Sequence, residues 1–167
     1  MAKQEAKEIM WMSLAYIDAG ISLAEQYVEG SDEKSYHRSL VPIFLIHQGI
    51  ELLYKAAIKA MGIEFPKTHD LRRLRTIFQK HYPDLDFEVP SIVLGASDNN
   101  NANQLNLFAE FKYPQLTIQH ERLRYPTDRQ GKDWSFQSAL DIEGAMEDIT
   151  ELNRASLKCW MHINDIE

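Results

Sequence analysis

Three titratable residues stand four apart in a stretch that is otherwise apolar. In FLIHQGIELLYKAAIKA, residues 44–60, they are His47, Glu51 and Lys55. On an α-helix this spacing stacks them along one side. Glu51 before Lys55 is the favoured order for an i,i+4 ion pair, and His47 can reach Glu51 from the preceding turn. A carboxylate at the edge of a core must be paired or protonated. Two readings fit the row: a satisfied polar seam that fixes helix register, or the wall of a groove for a phosphate or nucleotide. No second His or carboxylate cluster with ligand spacing converges on it, so no metal is expected.

Two cationic groups could take an anion. Lys67, Arg72, Arg73, Arg75 and Lys80 lie close together, opposed only by Asp70, and Arg122, Arg124, Arg129 and Lys132 form the second. Each reads equally as a solvated face. There is no Gly-rich phosphate loop, Cys-x-x-Cys pair or nucleophile elbow, so no cofactor is expected. Cys159 falls on an apolar stripe and reads as packing.

These groups need a frame, and the chain has the makings of one. Its 167 residues suit a single domain spanning 1–167, with 44% apolar and 26% charged residues. The net charge of −7 argues against a general nucleic-acid coat, and no DNA partner is expected. A single cysteine, the charged N-terminal MAKQEAKEIMWM and no run approaching a membrane span point to a cytoplasmic protein without a membrane partner.

Helical periodicity dominates. Met10, Leu14, Ile17, Ile21, Ala24 and Val28 predict a first helix over 3–29, ended by Gly30. Ser31 with Asp32 and Glu33 predicts the cap of a second helix, running to about Ala60 and kinked at Pro42. Around that helix Ile43, Ile46, Ile50, Leu53 and Ala57 form one wide face, with Leu45, Leu52 and Ala56 opposite. A helix apolar on nearly every side is central. Thr68 is the expected cap of a third helix with Leu71, Leu74, Ile77 and Phe78 on its apolar edge. SIVLGA is ambiguous, and residues 97–104 read as a polar loop with the least order. A short helix over 103–113, an irregular stretch over 114–132 and a last helix over 135–161 complete the chain. The sum is an all-α up-and-down bundle of four to five helices. Trp11 and Trp160, beside the stripes of the first and last helices, suggest a homodimer interface.

The joint order of HQGIELLYKAAIKAMGIEFPKTHDLRRL and, some fifty residues on, RLRYP resembles the HEPN family (higher eukaryotes and prokaryotes nucleotide-binding). The resemblance implies a helical bundle, commonly a homodimer. Family members are often associated with nucleotidyltransferase partners, and some are metal-independent ribonucleases of toxin–antitoxin, defence and RNA-processing systems. On that analogy His47, Glu51, Lys55, His69, Asp70, Arg124 and Tyr125 form a ligand-binding or structural network. Glu51 would anchor the THDL turn or the RLRYP loop, with Arg124 the first partner and Lys55 the second.

The chain departs from the ribonuclease pattern, an Arg and a His with four to six residues between them on the last helix. Here that helix offers Arg154 and His162, with seven residues between. The spacing occurs instead at Arg75 and His81, on the third helix. The reading is therefore a non-catalytic module that binds a nucleotide, another anionic ligand or a nucleotidyltransferase. The alternatives are a metal-independent endoribonuclease acting on RNA and a plain interaction bundle. A nucleotidyltransferase gene beside this one would favour either of the first two.

Overall fold

The computed structural model describes residues 2–30, 36–85, 87–94 and 141–165. The segments expected as a polar loop, a short helix and an irregular stretch lie outside them, as do Arg122, Arg124, Tyr125, Arg129 and Lys132. The described residues form helices joined by turns, with no strand among them. We number the helices α1 (Ala2–Glu29), α2 (Tyr36–Ala60), α3 (Leu71–His81), α4 (Ser91–Leu94) and α5 (Met146–Asp165).

α2 is the central helix. Ile43, Ile46, Ile50, Leu53 and Ala57 are fully buried, and Ala56 on the other side is buried too. The helix runs through Pro42 without a break. By length and composition Arg38–Ala60 reaches the threshold of a membrane span, contrary to the sequence expectation, but 67% of it is buried inside the bundle. Its apolarity is that of a core helix packed on several sides.

α1 and α2 approach each other through two glycines. A Cβ on Gly20 would lie 2.6 Å from Ile46 Cγ1 and 3.0 Å from the Pro42 carbonyl oxygen. A Cβ on Gly49 would lie 2.5 Å from Ile17 Cγ1 and 3.0 Å from the Ser13 carbonyl oxygen. Each isoleucine thus fills the notch left by a glycine on the facing helix. Rising numbers on α1 meet falling numbers on α2, so the two are antiparallel. Ser13 Oγ donates to the Gly49 carbonyl at 2.7 Å inside this contact. At the far end Lys59 Nζ meets Glu5 Oε2 at 3.2 Å.

Two boundaries differ from expectation. The cap of α3 is Asp70 rather than Thr68: Asp70 Oδ1 accepts from the amides of Arg72 (3.0 Å) and Arg73 (3.3 Å), while Thr68 Oγ1 accepts from the Asp70 amide. The charged carboxylate is the better acceptor at a helix N-terminus. α5 begins at Met146, and residues 142–145 are a turn in which Gly144 N–H donates to Asp141 Oδ1 at 2.9 Å. An Asp followed by a Gly so close favours such a turn over helix. Residues 31–35, where the second helix was expected to start, lie outside the described residues.

An aromatic cluster closes the other side of α2. Tyr54, Phe78, Tyr82 and Phe87 are buried, with ring centroids 5.2 Å apart for Tyr54–Phe78 and for Phe78–Tyr82 and 5.7 Å for Tyr54–Phe87. Tyr82 hydroxyl donates to the Ala57 carbonyl at 3.1 Å. This contact fixes the end of α3 to α2.

Candidate functional site

The polar row begins on α2 and is completed from beyond its end. α2 stops in a Schellman arrangement: Gly62 N–H donates to the Lys59 carbonyl at 2.9 Å and Ile63 N–H to the Ile58 carbonyl at 3.4 Å. Gly62 has φ of +72°, a conformation glycine adopts without strain. The chain then folds back, and Thr68, His69 and Asp70 arrive beside the middle of α2. Thr68 and Asp70 shape the turn, and His69 between them reaches Glu51.

Glu51 is the buried centre of the site, with its side chain 2% exposed. Lys55 Nζ donates to its Oε1 at 2.7 Å. His69 Nδ1 lies 3.1 Å from Oε1 and 3.0 Å from Oε2. Burial pushes the Glu51 carboxyl up, but the contacts of Lys55 and His69 outweigh it, and the net shift is downward. Glu51 is therefore ionised and can only accept, so the proton of this contact sits on His69 Nδ1. The imidazole is 55% exposed on its other side. Lys55 also sits 5.6 Å from the centroid of the Phe65 ring, a second favourable contact for its charge. His47 is buried one turn before Glu51.

Chemically the row is a closed network. Its donors, Lys55 and His69, already serve Glu51, and the Asp70 carboxylate occupies the amides that open α3. Neither leaves a positive end for a phosphate here. The geometry favours the polar seam over the phosphate wall, and it turns attention to the far side of α3.

That side is cationic. Around α3 the polar residues Arg72, Arg73, Arg75, Thr76, Gln79 and Lys80 occupy one arc of about 160°. Leu71, Leu74 and Phe78 on the remaining arc are buried. Arg73 and Lys80 are exposed and Arg75 is half-buried.

The Arg and His pairs do not converge. Arg75 and His81 are six residues apart, which puts them about 120° apart around α3 and about 9 Å apart along it. Arg154 Nη1 is held by Glu151 at 2.9 and 3.1 Å. His162 sits about 80° round and about 12 Å further along α5, with its ring 6.1 Å from that of Tyr82. Burial pushes the Cys159 thiol up to about 12, so it stays neutral and unreactive. Among the described residues no group of three or more His, Cys, Asp or Glu is placed to hold a metal.

Sequence reasoning passed over Gly62, Phe65 and Tyr82, which carry no chemistry of their own. Gly62 had a usable signal, a glycine one residue past the last helical turn.

A family model described as the HEPN domain matches residues 24–155. No curated protein and no solved structure matches the chain.

Proposed function

The chain belongs to the HEPN domain family, and we propose that it is a non-catalytic member that binds an anionic ligand, in the first place a nucleotide. One observation carries this reading. The solvent face of α3 gathers Arg72, Arg73, Arg75 and Lys80, and α3 has no acidic residue, in a chain of net charge −7. Clustered cations on an acidic protein create a local field that attracts and concentrates anions. The ribonuclease reading lacks a converging Arg–His pair among the described residues. A cytoplasmic homodimer working beside a nucleotidyltransferase, in a toxin–antitoxin or defence setting, fits the same reading.

Calorimetric titration with adenosine triphosphate tests it. Saturable binding that weakens as salt rises is the expected result. If neither this nucleotide nor any longer phosphate polymer binds at low salt, the reading fails.

A further inference from the structure

We propose that Tyr54 on α2 and Arg75 on α3 hold one halide ion, in the first place chloride, which accepts from both and ties the two helices together. The inference goes beyond the nucleotide reading and stands without it. It concerns the buried edge of α3 rather than its solvent face.

The first support is a pair of unmet donors. The Tyr54 hydroxyl is buried with no hydrogen-bond partner among the described residues, and so is Arg75 Nε. Burial penalises each of them unless an acceptor meets it. Nε carries a hydrogen and cannot accept, so what it lacks is an acceptor.

The second support is position. Arg75 stands four residues after Leu71 and three before Phe78, both buried, so its stem runs along the same edge of α3. The Tyr54 ring packs on the Phe78 ring at a centroid distance of 5.2 Å. Burial pushes the Tyr54 phenol up, and the nearby Arg75 charge offsets part of that push. The two donors thus share one locus, where α3 packs on α2.

The third support is charge. Arg75 makes no ion pair among the described residues. Exposed cations such as Lys7, Lys67 and Lys158 need none, because water solvates them. Arg75 differs, being half-buried with its Nε out of water. Such a group calls for an acceptor that also brings negative charge. The described side chains around it supply none. Phe78 and Phe87 are apolar, the Tyr82 proton goes to the Ala57 carbonyl, and burial holds the Cys159 thiol neutral at about 12. A water molecule could accept from both donors but would leave the charge unbalanced.

The setting also selects the ion. Phosphate and sulfate carry several oxygens that each need a donor, and aromatic rings offer none. A halide is one atom of low charge density, which costs less to desolvate and accepts from any direction.

Thermal melts in sodium chloride against sodium gluconate, at matched ionic strength, test this. Tyr54→Phe keeps the ring and removes the donor. Arg75→Met keeps the stem and removes the charge. As chloride replaces gluconate, the wild-type midpoint should gain a few degrees on those of both variants, because an ion bound only by the folded state stabilises it. Tyr54→Phe should melt no lower than the wild type in gluconate and below it in chloride. Bromide should act as chloride does, whereas sulfate should raise all three proteins alike, as a general salt effect. A bromide-soaked crystal should show anomalous scattering between Tyr54 Oη and Arg75 Nε. An equal response to chloride in all three proteins places the effect elsewhere and overturns the site. Melts indifferent to chloride overturn it too, as does an ordered water at that point without bromide.

Discussion

His69 Nδ1 lies 3.0 Å from Glu51 Oε2, across 18 positions of sequence, and joins an exposed imidazole to a buried carboxylate. With Lys55 on the other oxygen, this contact binds the α2–α3 connection to the middle of the central helix. The carboxylate is satisfied twice, once from its own helix and once from the turn that α2 gives rise to.

Removing the carboxylate should therefore cost more than a surface ion pair does. Glu51→Ala strands a half-buried ammonium, and the expected loss is about 3 kcal/mol. Glu51→Gln keeps one acceptor and should cost less. In the double variant Glu51→Ala, Lys55→Ala the losses should fall short of additivity, because the second change removes the stranded charge. Denaturant unfolding of the three proteins measures this. Simple addition would mean that the two groups do not interact.

Acid should undo the same contact. Folding lowers the Glu51 carboxyl below its ordinary value of 4.5. A group lowered in the folded state contributes stability above its unfolded value, and that contribution is lost as pH falls through the folded one. The stability gap between the wild type and Glu51→Gln should thus be constant near neutrality and narrow below about pH 4.5. Unfolding free energies of the pair from pH 7 downward give the curve. A gap that widens in acid would reverse the sign and refute the assignment.

The bundle was legible in the sequence because it rests on local pattern. The α2 face from Ile43 to Ala57 follows from spacing alone, and so does the Glu51–Lys55 pair, since both partners lie one turn apart. The place of His69 was not legible to the same degree. It depends on the positive φ of Gly62 and on a return of the chain that periodicity does not encode. Thr68 and Asp70 both have cap chemistry, and only the geometry of the turn decides which carries out which bond. The notches at Gly20 and Gly49 were also invisible, because a glycine in a helix shows its purpose only when the facing helix is known.

Those notches give an unusual sign. In an ordinary helix interior, Gly→Ala stabilises by about 1 kcal/mol. Gly20→Ala would press its methyl against the Pro42 carbonyl and the Ile46 backbone nitrogen, each 3.0 Å away, and backbone cannot swing aside as a side chain can. The expected result is a loss of about 1–3 kcal/mol, with the same for Gly49→Ala. Adding Ile46→Val to Gly20→Ala should recover little of it, because valine keeps the Cγ1 atom that lies 2.6 Å from the new methyl. Thermal melts of the three variants decide, and a raised melting temperature for either glycine variant would show that the helices are free to part.

The apolar outer edge of α1 and α5 should carry a homodimer. Trp11 is 62% exposed and Met161 63%, with Leu157 and Met12 exposed nearby. Trp11 and Trp160 pack at a centroid distance of 5.7 Å, so the two helices present one apolar patch rather than scattered residues. Such patches mark interfaces. Light scattering at micromolar concentration should give twice the chain mass of 19.4 kDa, and Trp11→Ser with Met161→Ser should halve it. A wild-type mass of one chain would exclude the interface.

Tyr54 and Tyr82 sit in one aromatic cluster and should respond oppositely to loss of their hydroxyls. Burial pushes both phenols up, Tyr82 to about 12, so both are neutral at any ordinary pH. The Tyr82 hydroxyl donates to the Ala57 carbonyl, which is otherwise left without that donor in the core. Tyr82→Phe should cost about 1 kcal/mol. The Tyr54 hydroxyl is buried with no hydrogen-bond partner among the described residues. Its desolvation is uncompensated, so Tyr54→Phe should be neutral or stabilising. Both changes keep the ring and its packing, which isolates the hydroxyl. Denaturant midpoints of the two variants should move in different directions. A loss at Tyr54 as large as that at Tyr82 would mean that its hydroxyl is bonded in solution, with a water or an anion beside Arg75 as the acceptor.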